Sequence, residues 1–147
     1  MVTGPPPDGQ TYGSLYGHYV IHAVGPDYRQ AGNTEASMQR CDRLLASAYA
    51  ESVALARERN VEAVGFPLLS AGVFKGRRPL EAVLRVAVDA VLNELENSPS
   101  SIIREVHLIA FSAEEQLVLK RCLAQVIAER EAGALRSGWL MKMGKQS

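Results

Sequence analysis

The sequence predicts an α/β domain: a three-layer α/β/α sandwich built on a mainly parallel sheet. Short runs of β-branched and aromatic residues alternate along the chain with long segments whose apolar residues recur every three or four positions. That alternation of strand and helix patterns is typical of a parallel sheet with crossover helices. With 147 residues, the chain is long enough to bury a core and is expected to form a single domain.

The first predicted strand is the run Tyr-Val-Ile-His-Ala-Val at residues 19–24, which Gly25 and Pro26 end. Because its residues are apolar or aromatic on both faces, we expect it to be buried on both sides, as parallel sheets require. His22 within it is predicted to be a core residue rather than a catalyst. Upstream, residues 1–17 are too rich in proline and glycine to form a regular element throughout.

The first long helix is predicted from Asn33 or Thr34, either of which can cap it, to about Arg59. Seven residues recur at three- and four-residue steps and form its core-facing stripe: Met38, Cys41, Leu45, Ala48, Ser52, Leu55 and Ala56. Asn60 suits the left-handed residue that closes a helix, and a strand at residues 63–66 follows directly. The order strand, helix, strand predicts a right-handed parallel crossover.

A second helix and a third strand repeat this pattern further along the chain. The helix covers residues 79–95, with Pro79 at its first position, where proline is favoured. The strand covers residues 105–111, and Ser112 with Glu115 three residues later forms a capping box for a third helix.

The third helix is expected to end near Gly133, which divides the chain into a domain of residues 1–133 and a tail of residues 134–147. The tail holds Trp139 and is predicted to pack on the domain or to be disordered. It is too short and too weakly basic to suggest a helix on a membrane surface.

Composition excludes several classes of function. The formal net charge is zero, so no overall field attracts nucleic acid or an anionic membrane. Cys41 and Cys122 lie in helical apolar patterns and are expected to be buried thiols in a reducing compartment. No Cys/His cluster has the spacing of a metal site, and no apolar run is long enough to span a bilayer. We therefore expect an intracellular protein, cytoplasmic or nuclear, without a metal or cofactor.

The loop within residues 64–79 is the strongest candidate for chemistry. A buried strand leads through small residues to the start of a helix, and that combination can bind an anion. Ser70 offers a hydroxyl group, and Phe74 can lie against a sugar. Three residues offer backbone donors without bulky polar side chains: Ala71, Gly72 and Val73. The loop has neither the P-loop nor the Gly-x-Gly-x-x-Gly spacing, so an ordinary strand-to-helix turn explains it equally well.

Other side chains near the same edge carry weaker signals. Lys75, Arg77 and Arg78 supply local positive charge, although a basic run at a helix start is usually just solvated. Phe111 ends the third strand at the carboxyl edge of the sheet, where an adenine could stack. Asp27 is interpreted as an exposed loop carboxylate, and no Ser-His-Asp or Cys-His set is suggested by spacing.

Several segments resemble the macrodomain family in order and spacing. They are residues 19–26, Cys41 with the following Leu-Leu and Ala-Tyr pairs, residues 66–74, and residues 106–111. The run Ser-Ala-Gly-Val-Phe at 70–74 is the most specific of them. The resemblance covers about residues 3–130.

Membership of this family implies an α/β/α domain that binds ADP-ribose or a mono-ADP-ribosylated protein. The resemblance matches five residues to the loop around the diphosphate and distal ribose: Ser70, Ala71, Gly72, Val73 and Phe74. It matches Phe111 to the aromatic residue lying against adenine.

The same resemblance predicts an N-terminally truncated macrodomain, because the family's first strands and second glycine-rich loop have no counterpart in these residues. The family's catalytic asparagine and aspartate belong largely to that part, so binding is expected rather than efficient hydrolysis. Two alternatives stay open. One is a hydrolase of ADP-ribosyl groups or ADP-ribose-1''-phosphate, completed by Asp8, Asp27 or a partner chain. The other is a non-catalytic module that forms homo-oligomers through an exposed sheet edge.

Overall fold

The computed structural model describes residues 1–5, 15–98 and 102–143, with side chains described as far as residue 134. A short 3₁₀ turn, Val73–Lys75, lies within the loop that follows the third strand. The strands and helices, in chain order, are β1 Val2–Thr3, β2 Val20–Ile21, α1 Glu35–Glu58, β3 Ala63–Pro67, α2 Leu80–Glu96, β4 Glu105–Ile109 and α3 Ala113–Met143.

Strands β3 and β4 form the parallel sheet that the sequence predicts. Ala63 pairs with Glu105 and Pro67 with Ile109, so both strands end at the same edge. Helix α2 connects them. The parallel crossover predicted from the strand at residues 19–24 through α1 to β3 is wrong, because β2 pairs with β1 in a separate sheet. The protein is an α/β protein with a small parallel sheet.

The predicted strand at 19–24 is wrong in length, pairing and burial. Only Val20 and Ile21 are in strand conformation, and they pair antiparallel with β1 rather than joining β3 and β4. His22 is exposed, so it is not the core residue we expected, and its ring lies 3.0 Å from the Thr3 hydroxyl oxygen. The apolar pattern is misleading because, in the described part of the chain, this segment pairs only with β1 and lies outside the parallel sheet whose strands pack against the helices.

Helix ends follow the local signals closely. Thr34 caps α1 by accepting a hydrogen bond from the Ser37 N–H, and Asn60 adopts a φ of 55° just beyond the helix. Pro79 precedes α2 as its cap instead of being its first helical residue, since its ψ of 137° is extended. The Ser112 hydroxyl accepts from the Glu115 N–H at 3.1 Å, which confirms the capping box of α3.

Helix α3 does not end near Gly133 but continues to Met143. No neighbouring group crowds the Gly133 Cα, and helix-forming residues follow it, so nothing there forces a turn. The division into residues 1–133 and 134–147 therefore stays a prediction, and the side chain of Trp139 lies outside the described side chains.

The core lies on one face of the sheet. Val64 and Phe66 of β3 are buried against α1 and α2, and α3 packs beside α2 through a second apolar cluster that includes Leu84 and Cys122. The alternate side chains of β3 and β4 are exposed. The described residues thus place helices over one face, whereas the predicted sandwich has them over both. Within these residues, no helix is long and apolar enough to cross a bilayer.

Candidate functional site

The loop after β3, at the carboxyl edge of the sheet, is held by backbone hydrogen bonds between residues three positions apart. The Ala71 N–H donates to the Leu68 carbonyl at 3.3 Å, and the Lys75 N–H donates to the Gly72 carbonyl at 3.1 Å. Ser70 adopts a φ of 58°, an uncommon left-handed conformation for a residue other than glycine. Such a conformation persists only where surrounding contacts hold it.

Ser70 is held by the loop that follows β2. Its side chain is buried, and its hydroxyl donates to the Pro26 carbonyl at 2.7 Å. A Cβ atom on Gly25 would lie 2.3 Å from the Ser70 Oγ, so only glycine permits this approach. The Ser70 hydroxyl therefore donates its proton to a protein carbonyl and not to a ligand. Its contribution to the site is to fix the conformation of the loop.

Three consecutive backbone donors follow this anchored segment. In the described part of the chain, the N–H groups of Gly72, Val73 and Phe74 have no hydrogen-bond acceptor. All three residues are exposed, and a Cβ built on Gly72 meets no atom within 4 Å. The predicted donor set shifts by one residue, because the Ala71 N–H is already used. Successive unpaired N–H groups on a turn form a concave anion site.

A buried tyrosine on α1 holds the start of the loop through a hydrogen bond. Tyr49 is fully buried, and its ring packs against Phe66 with the ring centroids 5.2 Å apart. Its hydroxyl accepts a hydrogen bond from the Leu69 N–H at 2.8 Å. Burial raises the pKa of Tyr49 to about 12, so the hydroxyl remains protonated under ordinary conditions.

Replacing Tyr49 by phenylalanine is expected to lower the free energy of unfolding by about 1–3 kcal/mol, because the Leu69 N–H loses its acceptor. Urea denaturation of wild type and Tyr49→Phe measures this loss. Tyr16→Phe is the matched control, since Tyr16 is 94% exposed and its substitution is expected to change stability by less than about 0.5 kcal/mol. Equal stability of Tyr49→Phe and wild type would contradict the assigned role.

The three basic residues of the predicted run, Lys75, Arg77 and Arg78, make different contacts. Arg78 forms an ion pair with Asp42, which also accepts a hydrogen bond from the buried Tyr28 hydroxyl at 2.7 Å. Burial and this carboxylate raise the pKa of Tyr28 well above its usual range. The Lys75 Nζ donates to the Gly76 carbonyl at 3.4 Å, and the Arg77 side chain is exposed. Arg78 therefore ties the segment before α2 to α1 instead of facing a ligand.

Sequence reasoning missed the ion pair between Asp27 and Arg29. The Arg29 Nη2 atom lies 2.6 Å from Asp27 Oδ2, and the Arg29 N–H donates to Asp27 Oδ1 at 3.0 Å. Hydrogen bonding from Arg29 lowers the pKa of Asp27 to about 2. The guanidinium carbon lies 5.3 Å from the centroid of the Phe74 ring. Asp27 is thus ion-paired and only 12% exposed, and it is not the exposed loop carboxylate that the sequence predicts. Its spacing of two residues from Arg29 was the available signal.

Phe111 lies just beyond β4 with its side chain 99% exposed. Because Pro67 and Ile109 are paired, the residues after β4 and the loop after β3 leave the sheet at the same edge. The Phe111 N–H donates to a Glu115 carboxylate oxygen at 2.7 Å, which fixes the backbone there. No group of three or more acidic, His or Cys side chains suited to a metal ion occurs within the described residues.

The arrangement resembles known proteins in sequence and in fold. The Macro domain family profile matches residues 10–87. A macro domain-containing protein of Caldanaerobacter subterraneus is 38% identical over 114 residues, which are 78% of this chain and 59% of that relative. An O-acetyl-ADP-ribose deacetylase of Cronobacter turicensis is 30% identical over 113 residues, which are 77% of this chain and 58% of that enzyme.

Among solved structures, a mutant macrodomain of Oceanobacillus iheyensis with ADPR matches with a TM-score of 0.68 and 21% identity. The match covers 87% of this chain and 59% of that chain, and at this identity it establishes the fold. The chain thus spans less than two thirds of the length of these relatives. The family profile covers more than half of the chain, and β3 ends at the loop where the family resemblance is most specific. The chain belongs to the macro domain family.

Proposed function

We propose that the chain binds ADP-ribose, free or attached to a protein, and that the diphosphate occupies the three N–H groups of Gly72, Val73 and Phe74. The observation that carries the proposal is that these donors are consecutive, exposed and without an acceptor in the described part of the chain. A diphosphate supplies acceptor oxygens at a spacing suited to such a turn. Family membership and the relatives named for ADP-ribose chemistry support the choice of ligand.

The other predicted residues have distinct roles in this proposal. Ser70 and Ala71 fix the loop, through the hydrogen bonds to Pro26 and Leu68. The Phe74 ring, partly exposed, lies against the distal ribose. The exposed Phe111 ring lies against adenine, and stacking of the base on the ring removes its apolar surface from water.

Calorimetric titration tests the proposal. We expect saturable binding of ADP-ribose and much weaker binding of adenosine, because adenosine lacks the diphosphate that the loop holds. Absence of heat with ADP-ribose at millimolar concentration would contradict the proposal. Equal affinity for adenosine would contradict the role of the loop.

Hydrolysis is the second candidate function, favoured by the relatives named O-acetyl-ADP-ribose deacetylase. Asp27 is a poor general base, because its ion pair with Arg29 holds its pKa at about 2. Asp8 lies outside the described residues. Release of acetate from O-acetyl-ADP-ribose would support this candidate. Intact ADP-ribose binding without turnover would contradict it and leave the binding function standing.

We extend the proposal to partners and location. The ligand's carrier is a mono-ADP-ribosylated protein, the location is intracellular, in cytoplasm or nucleus, and nucleic acid is not recognised by sequence. In the described residues, β3 and β4 form a two-stranded sheet, so each is an edge strand, which supports pairing with a second copy of the chain through an exposed sheet edge. Light scattering that shows a monomer at every concentration would contradict the pairing.

A further inference from the structure

We propose that Arg29, held in place by Asp27, binds the second phosphoryl group of the ligand. Its guanidinium donates hydrogen bonds to the phosphoryl oxygens that the loop N–H groups do not bind. The proposal rests on the function proposed above and adds a specificity-determining side chain from a different loop. The juxtaposition behind it is a cation that lies over the ring of Phe74, a residue whose own N–H is one of the three free backbone donors.

The ion pair fixes the guanidinium and leaves one edge of it unused. The Arg29 Nε donates to Asp27 Oδ1 at 2.9 Å and the Nη2 donates to Oδ2 at 2.6 Å. Among the described residues, the Nη1 atom has no acceptor. This paired geometry gives the guanidinium one defined orientation before any ligand arrives.

In this ion pair, the arginine side chain is more exposed to solvent than the aspartate side chain. The Asp27 side chain is only 12% exposed, whereas the Arg29 side chain is 49% exposed. An approaching anion therefore meets the guanidinium before the carboxylate. Asp27 is a positioning residue in this arrangement, and Arg29 is the residue that contacts the ligand.

Backbone packing keeps Arg29 next to the donor turn. The Tyr28 N–H donates to the Phe74 carbonyl at 2.8 Å. Gly76 has a φ of 56°, and a Cβ placed on it would lie 3.1–3.3 Å from atoms of Arg29. The segment holding Arg29 and the 3₁₀ turn Val73–Lys75 are therefore in direct contact, so the cation cannot move far from the free N–H groups.

The neighbouring cations are less suited to this task. Arg78 is engaged with Asp42, and the Lys75 Nζ donates to a backbone carbonyl. A planar guanidinium also matches two phosphoryl oxygens at once, which an ammonium group does not. Arg77 is exposed and has no ion-pair partner among the described residues, so nothing there fixes its orientation. Arg29 is therefore the fixed cation through which the site can distinguish a diphosphate from a monophosphate.

The test compares ADP-ribose with AMP, which carries one phosphoryl group, by calorimetry at low salt. We expect Arg29→Gln to weaken ADP-ribose binding at least about tenfold, the effect of one charge-assisted hydrogen bond, and AMP binding by less than about threefold. Arg29→Lys, which keeps the charge, should recover part of the loss. Arg59→Gln is the matched control, because it removes an equal exposed charge at the opposite, amino edge of the sheet and should leave both affinities unchanged.

The outcomes separate this inference from the proposed function. If wild type binds ADP-ribose and Arg29→Gln binds it equally well, Arg29 does not read the ligand and only this inference fails. The same holds if Arg29→Gln lowers the ADP-ribose and AMP affinities by one common factor, as a merely structural defect would. Absence of ADP-ribose binding by wild type would overturn both.

Discussion

Substitution of Gly72 by glutamate is expected to weaken ADP-ribose binding by about 100-fold or more while leaving the protein folded. A Cβ on Gly72 meets no atom within 4 Å, so the new side chain finds room in the empty space beside the donor turn. Its carboxylate then lies beside the position of the ligand's diphosphate. Two like charges about 4 Å apart near a protein surface repel by about 4 kcal/mol. That repulsion exceeds the free energy that corresponds to a roughly 100-fold loss of affinity. Calorimetry measures the affinity, and thermal unfolding checks the fold.

Gly72→Gln is the matched control for this substitution. Glutamine has the size of glutamate without the charge, so we expect it to bind ADP-ribose at least about tenfold more tightly than Gly72→Glu does. Wild-type affinity in Gly72→Glu would show that the ligand lies elsewhere. Equal losses in both variants would show that bulk, and not the anionic character of the ligand, determines binding at this position.

Gly25→Ala is expected to lower the free energy of unfolding by about 1–3 kcal/mol, the usual effect of an overpacked contact. The added Cβ would lie 2.3 Å from the Ser70 Oγ and 3.3 Å from the Ser70 nitrogen. Because Ser70 holds an uncommon backbone conformation through its bond to Pro26, the loop must shift to admit the methyl group. ADP-ribose affinity should fall with stability, since the donor turn begins two residues later. Urea denaturation and calorimetry measure the two effects.

Gly133→Ala controls for the loss of a glycine as such. No atom lies within 4 Å of a Cβ on Gly133, and the residue is within helix α3. Alanine there is expected to stabilise the protein by about 0.5–1 kcal/mol and to leave ligand affinity unchanged. Gly25→Ala as stable as wild type would contradict the close packing of the two loops.

The sequence was sufficient for elements whose signals are local. The cap at Thr34, the left-handed Asn60 and the capping box at Ser112 each depend on a few neighbouring residues, and the structure confirms all three. The run at residues 19–24 is different, because its pairing depends on what lies beside it. Among the described residues only β1 pairs with it, so its apolar pattern predicted burial that the structure does not provide there.

The position of the site could also be predicted, but its internal contacts could not. The run at residues 70–74 marks the loop, and the resemblance assigns a ligand to it. The hydrogen bond from Leu69 to Tyr49 joins residues 20 positions apart, and that from Ser70 to Pro26 spans 44 positions. Such contacts follow from how the loops pack in three dimensions, and no spacing rule reveals them. For this reason, the sequence suggested the Ser70 hydroxyl as a ligand contact, whereas its proton is donated within the protein.

The most direct test of the central claim is an NMR titration of the backbone amide groups of wild-type protein with ADP-ribose. We expect the amide signals of Gly72, Val73 and Phe74 to shift saturably, with the midpoint that calorimetry gives. The amide signal of Ala71 should shift less, because its N–H already donates to Leu68. Saturable binding that leaves these three signals in place, or no saturable shift at millimolar ADP-ribose, would contradict the claim that this turn holds the diphosphate.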